Sequence, residues 1–194
     1  MVNDIELYNS IYTENQEKWN IGWRNVFIYI TLWRYPRPDT IMDIGCGGGH
    51  VLKHIGEKWP KVKLSGVDIS PVATEIAKEN NPNGTFYTGR FEEMDLPHSD
   101  IVICAGVAEH FEDLDNSLKA LKKTGDLFYL EVPNCIDLSP DRSEGFRKTF
   151  EGSGQHEWHL GGRTWEKHIL DAGFEIVERI DGMTHETFFI WMLR

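Results

Sequence analysis

A chain of 194 residues with 40% hydrophobic and 26% charged residues can bury a sizeable core, and none of its apolar runs reaches membrane-spanning length. The 20 basic and 31 acidic residues leave a net charge of −11, which repels phosphate backbones and disfavours a nucleic-acid partner. Cys46, Cys104 and Cys135 are odd in number and dispersed, and Met1–Glu6 carries acids where an export signal carries basic residues. Both features point to free thiols in a reducing, cytoplasmic setting.

Residues 4–34 read as two helices. Ile5, Tyr8, Ile11 and Tyr12 share one face, and Trp23, Val26, Phe27, Ile30 and Trp33 share another. Pro36 and Pro38 close this region, so residues 1–38 are expected to form a helical cap on a core spanning 39–194, the whole making one domain. The aromatics Tyr8, Tyr12 and Trp19 suit either plain packing or a lid over a ligand.

Strand and helix then alternate. Thr40–Ile44 is an apolar strand carrying Asp43, followed by glycines at 45, 47 and 49 and a helix over about 50–58. Leu64–Ile69 is the next strand. Ser70 is placed to cap a helix that Pro71 opens, and Asn81-Pro82-Asn83-Gly84 is a turn. Thr85–Thr88 is a short strand, and Ile101–Cys104 has the continuous apolar run of a central parallel strand. A helix over 114–123 leads to the strand Leu127–Val132. Residues 134–162 read as a long polar loop, of a length that favours a functional role over simple connection. A helix over 164–172, holding Trp165 in the core, ends at Gly173. Two strands, 174–180 and 186–193, complete a terminal hairpin. The order predicts an α/β three-layer, Rossmann-like fold: a mostly parallel seven-stranded sheet with a C-terminal antiparallel hairpin.

In such a sheet ligands bind beyond the carboxyl ends of the strands. Asp68 closes the second strand about 20 residues after the glycine turn, where a carboxylate accepts hydrogen bonds from ribose hydroxyls. A dinucleotide fingerprint would read G-x-G-x-x-G, but here the third glycine falls one residue early and His50 takes its place. The pattern Asp43-x-Gly45-x-Gly47-x-Gly49 with Asp68 downstream resembles instead the class I S-adenosylmethionine-dependent methyltransferases. Gly66–Ser70, the segment Ser99–Phe111 and Leu170-Asp171-Ala172-Gly173-Phe174 resemble three further motifs of that family, so the likeness runs from about Thr40 to the C-terminus.

The resemblance implies S-adenosylmethionine as cofactor. Gly45, Cys46 and Gly47 would carry the backbone under its methionine part, Asp43 would face the amino group, and Asp68 would hold the ribose. Ile69 would pack on the adenine with Phe91 and Glu92 as neighbours, and Gly106 would lie near the sulfonium. Where the family often has Gly-Asp after the third strand this chain has Gly89-Arg90, and arginine offers no acceptor to an adenine amino group.

The remaining chemistry is alignment of a nucleophile and removal of a proton. His110, Glu109, His156 and His159 are the candidate bases. His110 follows the fourth strand and equally suits packing or a helix-start hydrogen bond. Gln155–His159 suits either a pocket lining or a solvated loop. His156-x-x-His159 with Glu109 is too loosely spaced to define a metal site. No Asn/Asp-Pro-Pro-Tyr/Phe signature and no Pro-Cys nucleophile for base methylation is present, which favours a small-molecule acceptor such as a sugar, a lipid-like compound or a quinone. O-methylation is marginally preferred, because a histidine base suits hydroxyl deprotonation near neutral pH. A nicotinamide-dependent oxidoreductase and a non-catalytic partner protein with a methyltransferase fold are the alternatives.

Overall fold

The computed structural model describes residues 5–17, 20–133, 145–148, 156–181 and 188–194. Strand β1 (Thr40–Ile44) buries Ile41, Met42 and Ile44. Strand β2 (Lys63–Asp68) pairs with it in parallel, Thr40 opposite Lys63 and Ile44 opposite Val67. Strand β3 (Thr85–Thr88) continues the parallel set, Ser65 opposite Thr85. Strand β4 (Ser99–Ala105) is locked to the start of β1: Asp100 Oδ2 accepts from the backbone N–H groups of Asp39 and Thr40, at 2.7 and 2.9 Å. With β5 (Gly125–Pro133), β8 (Ile176–Asp181) and β9 (Phe188–Leu193) the sheet has seven strands in the order β3-β2-β1-β4-β5-β9-β8. β9 runs antiparallel to both β5 and β8, so the last strand, not the one before it, lies beside β5. This is the mostly parallel α/β sheet with a terminal antiparallel pair that the alternation predicted.

Contacts divide the chain into two compact units, Asp4–Ile103 and Cys104–Arg194. In the first unit, helix α3 (His50–Lys58) buries Leu52 and Ile55, and helix α4 (Pro71–Asn80) buries Ala73, Ile76 and Ala77. α4 starts as its sequence dictates: the Ser70 hydroxyl accepts from Ala73 N–H at 3.2 Å, and Pro71 occupies the first helical position. Helix α1 (Ile5–Glu14) packs on α4, and helix α2 (Gly22–Trp33) packs on α3. α2 does not use the face its aromatics suggested. Asn25, Ile28, Thr31 and Leu32 are buried, whereas Trp23, Val26, Ile30 and Trp33 are exposed, Trp33 at 67%. The helix is apolar on both sides, and apolar spacing alone cannot choose between two such faces.

In the second unit, helix α5 (Leu114–Leu121) is capped by Asp113, whose carboxylate accepts from Asn116 N–H at 3.1 Å. It packs on helix α6 (Gly162–Asp171), in which Trp165 is fully buried. The stretch expected as one long loop contains two short strands, β6 (Gly145–Lys148) and β7 (His156–His159), paired antiparallel with Gly145 opposite His159. Five of their eight residues are charged or histidine, and the single large apolar residue in each strand, Phe146 and Trp158, is too little to set an apolar period in the sequence.

Candidate functional site

The turn after β1 is stapled to β2: the N–H groups of Gly45 and Cys46 both donate to Val67 C=O, at 2.8 and 3.0 Å. The chain then passes Gly47 with φ +50° and Gly49 with φ +70°, both in the left-handed region that favours glycine. Space is short as well. A Cβ on Gly47 would collide with the Tyr12 hydroxyl, and one on Gly49 would lie 2.6 Å from the Asn81 amide and 3.2 Å from the Ala77 backbone. The Asn81 side chain donates to Gly49 C=O at 3.0 Å and that of Asn80 to Gly48 C=O at 2.9 Å, so α4 holds the turn from outside.

Asp68 ties these pieces together. Its Oδ2 accepts from Gly47 N–H and its Oδ1 from Ser70 N–H, each at 2.9 Å. Burial raises its carboxyl above the usual range, while the N–H groups of Ser70, Gly47 and Ile69 pull it back down. Asp43 is also buried. Burial pushes it up to about 8, with Arg24 opposing and Asp68 adding to the rise. Burial likewise pushes up the Cys46 thiol, which donates to Gly47 C=O at 3.6 Å. Gly89 N–H donates to Asp68 C=O at 2.9 Å and leads into a single 3₁₀ turn, Phe91–Glu93, in which Phe91 is buried and Glu92 exposed. The residues expected to hold a nucleoside thus gather at the carboxyl ends of β1, β2 and β3.

Several participants were not anticipated. Arg24, the one charged residue of α2, is the cation whose field reaches Asp43. Asn9 Oδ1 accepts from the Ser70 hydroxyl at 2.7 Å. Tyr12, anticipated only as one of three aromatics that could cover a ligand, lies against Gly47. Trp19, grouped with it as a lid residue, lies outside the described residues.

The second unit carries the other expected residues. Gly106 (φ +68°) donates its N–H to Glu131 C=O at 2.9 Å. A 3₁₀ turn, Ala108–His110, follows. Glu109 in it is buried, its Oε1 lies 4.0 Å from His110 Nε2, and His110 is half-buried. β7 packs against this turn, and Trp158 Nε1–H donates to Phe111 C=O at 2.6 Å. The backbone of His156 and His159 is therefore near Glu109 and His110, while their side chains, and all of Gln155, lie outside the described residues. On β5, Glu131 is buried and accepts from the Tyr129 hydroxyl at 2.7 Å. Glu131 falls within the expected strand Leu127–Val132, and one acid in an apolar strand gives no further signal in the sequence. Among the described residues no group of three or more His, Cys, Asp or Glu is placed to hold a metal ion.

Residues 28–179 match a family described as a methyltransferase domain. The malonyl-[acyl-carrier protein] O-methyltransferase of Acetivibrio thermocellus is 32% identical over 84 residues, 42% of this chain and 30% of that protein. The eugenol O-methyltransferase of Ocimum basilicum is 26% identical over 146 residues, 70% of this chain and 40% of that protein. The chain thus spans less than half the length of these curated relatives. Among solved structures, the 1,6-didemethyltoxoflavin-N1-methyltransferase of Burkholderia thailandensis, with 1,6-didemethyltoxoflavin and S-adenosylhomocysteine bound, superposes with a TM-score of 0.74 over 98% of this chain and 86% of that one. At 14% identity that likeness is one of fold.

Proposed function

The chain belongs to the class I S-adenosylmethionine-dependent methyltransferases, and from that premise we propose that it transfers a methyl group to the oxygen of a small-molecule acceptor. The observation that carries the reading is the pair of buried carboxyl groups, Asp43 and Asp68, at the glycine turn. A pyrophosphate laid on this turn would meet two acids. A ribose and an ammonium group are the partners such acids favour, and that weighs against a nicotinamide dinucleotide.

The residues fit the expected donor. Asp68 is held by backbone N–H groups in one orientation, and a carboxylate has lone pairs left for ribose hydroxyls. Asp43 would face the amino group. Gly45, Cys46 and Gly47 would pass their backbone under the amino-acid part. Ile69 and Phe91 would flank the adenine, with Glu92 nearby and Gly106 toward the sulfur. When bound, S-adenosylmethionine supplies a methyl group already activated by its sulfonium charge.

The protein's own tasks are to orient the acceptor and to take its proton. His110, beside buried Glu109, is the base we favour, and His156 and His159 are the further candidates. The oxygen preference is supported by the two O-methyltransferases among the relatives, although the toxoflavin enzyme acts at nitrogen by its name. The buried free thiols Cys46 and Cys104 suit a reducing, cytoplasmic location.

Thermal shift and calorimetry test the donor. S-adenosylhomocysteine is expected to raise the melting temperature and NADH to leave it unchanged; the reverse overturns the reading. Incubating radiolabelled S-adenosylmethionine with hydroxylated and aminated acceptors then separates O- from N-transfer. Donor binding with no turnover on any acceptor would favour the non-catalytic alternative.

A further inference from the structure

Helix α2 has two apolar faces and packs on α3 through one of them. Asn25, Ile28, Thr31 and Leu32 are buried. The opposite side carries Trp23, Val26, Ile30 and Trp33, exposed at 49%, 41%, 52% and 67%. Their spacing of three, four and three residues draws one narrow stripe along the helix. Such a stripe is the seam by which two helices pair, and it is narrower than the face a helix presents when it lies in a bilayer surface. Arg24, the one charged residue of α2, lies off the stripe.

The stripe is symmetric about position 28. Laid antiparallel against a copy of itself across a twofold axis, α2 sets Trp23 opposite Trp33 and Val26 opposite Ile30, and every contact occurs twice. The charges match in the same register. Residues 20–38 hold Arg24, Arg34 and Arg37 and no acid, in a chain whose net charge is −11, so the repulsion between copies is weakest at this face. Exposed Arg37 comes to the end of the other α2, where exposed Glu17 accepts from the Asn20 amide at 2.7 Å. Antiparallel helix dipoles act in the same sense.

The area is sufficient as well. With about 250 Å² for a tryptophan side chain, Trp23 and Trp33 expose roughly 300 Å² between them. Pairing therefore removes roughly 600 Å² of indole surface from water, and Val26, Ile30 and the charged rim of both copies carry the total to the ~1,000 Å² that a specific interface needs.

We propose that the exposed face of α2 is a self-association surface, on which a second copy of this chain docks to form a twofold dimer with antiparallel α2 helices. The pairing uses none of the residues placed at the donor site, so it stands apart from the methyltransferase reading.

The test is the mass of the full chain in solution. Sedimentation equilibrium at micromolar concentration is expected to give twice the mass of one chain. Trp33→Ala removes a ring that is mostly in water in the single chain, so folding is spared. It is expected to weaken association roughly 30-fold, the level of an interface hot spot. Ile30→Glu is expected to give a monomer with native circular dichroism. Val26→Cys and Ile30→Cys chains, mixed and oxidised beside a wild-type control, should cross-link to each other in preference to themselves, as the antiparallel register requires. A monomeric wild type overturns the proposal, and co-sedimentation of that monomer with phosphatidylcholine vesicles would assign the face to a bilayer instead. A dimer that survives both Trp33→Ala and Ile30→Glu overturns it too, because its interface lies elsewhere.

Discussion

Asp43 and Asp68 are both buried acids, yet they differ in what compensates them. Asp68 has backbone N–H groups on both oxygens, whereas Asp43 has the field of Arg24. Replacing Asp68 with Ala removes the ties to Gly47 and Ser70 together with the proposed ribose contacts. We expect S-adenosylhomocysteine affinity measured by calorimetry to fall by roughly 2–4 kcal/mol; unchanged affinity would remove Asp68 from the site. Asp43 makes a pH prediction. Its value of about 8 lies above its ordinary 3.8, so the folded chain holds a proton that the unfolded chain has lost. The Asp43 contribution to stability is therefore fully present below 3.8 and declines as pH rises toward about 8. Melting temperature without ligand should fall across that window, and Asp43→Asn should flatten the slope. A bound ammonium group would favour the ionised carboxyl, so donor binding should release a proton and tighten as pH approaches 8 from below, which calorimetry in buffers of different ionisation enthalpy would detect. His110→Ala should lower turnover while leaving S-adenosylhomocysteine affinity intact; an equal rate would exclude it as the base.

At the scale of elements, the legible parts were those whose signal is local. The run Ile41–Gly49 shows its strand, its acid and its turn within ten residues, and Ser70-Pro71 announces α4. Ser70→Ala should cost about 1 kcal/mol through the lost cap alone, and more through the bond to Asn9, read as a drop in urea midpoint at constant slope. What was not legible depends on distant partners. Nothing in Gly22–Trp33 says that Arg24 faces Asp43, or which of two apolar faces turns inward. The polar strands β6 and β7 were hidden because their stability comes from pairing and from Trp158 reaching Phe111, not from an apolar period. The site splits the same way. The acids and glycines at the ends of β1 and β2 follow from their offsets along the chain, whereas the N-terminal contacts Asn9–Ser70 and Tyr12–Gly47 join residues too far apart in sequence to leave a pattern.

At the scale of the whole molecule, the net charge of −11 sets how it responds to its solvent. Like charges on a compact surface repel, and salt screens that repulsion. Raising ionic strength from low to physiological should therefore raise the melting temperature, and a fall would show that specific ion pairs outweigh the overall repulsion. Among the described residues no helix is long and apolar enough to cross a membrane. The exposed face of α2, with Trp23, Ile30 and Trp33, is the most apolar surface of the first unit's helical elements.

The bridge that Asp68 makes also has a spectroscopic meaning. Its two oxygens hold the amides of Gly47 and Ser70, one in the glycine turn and one at the start of α4. Amide protons that point at a carboxylate resonate downfield and move upfield when that carboxylate takes a proton. These two signals should therefore titrate together with one midpoint, although their residues lie on different elements. Followed during addition of a ligand, they would give a direct reading of the charge on Asp68 without any label or assay of turnover.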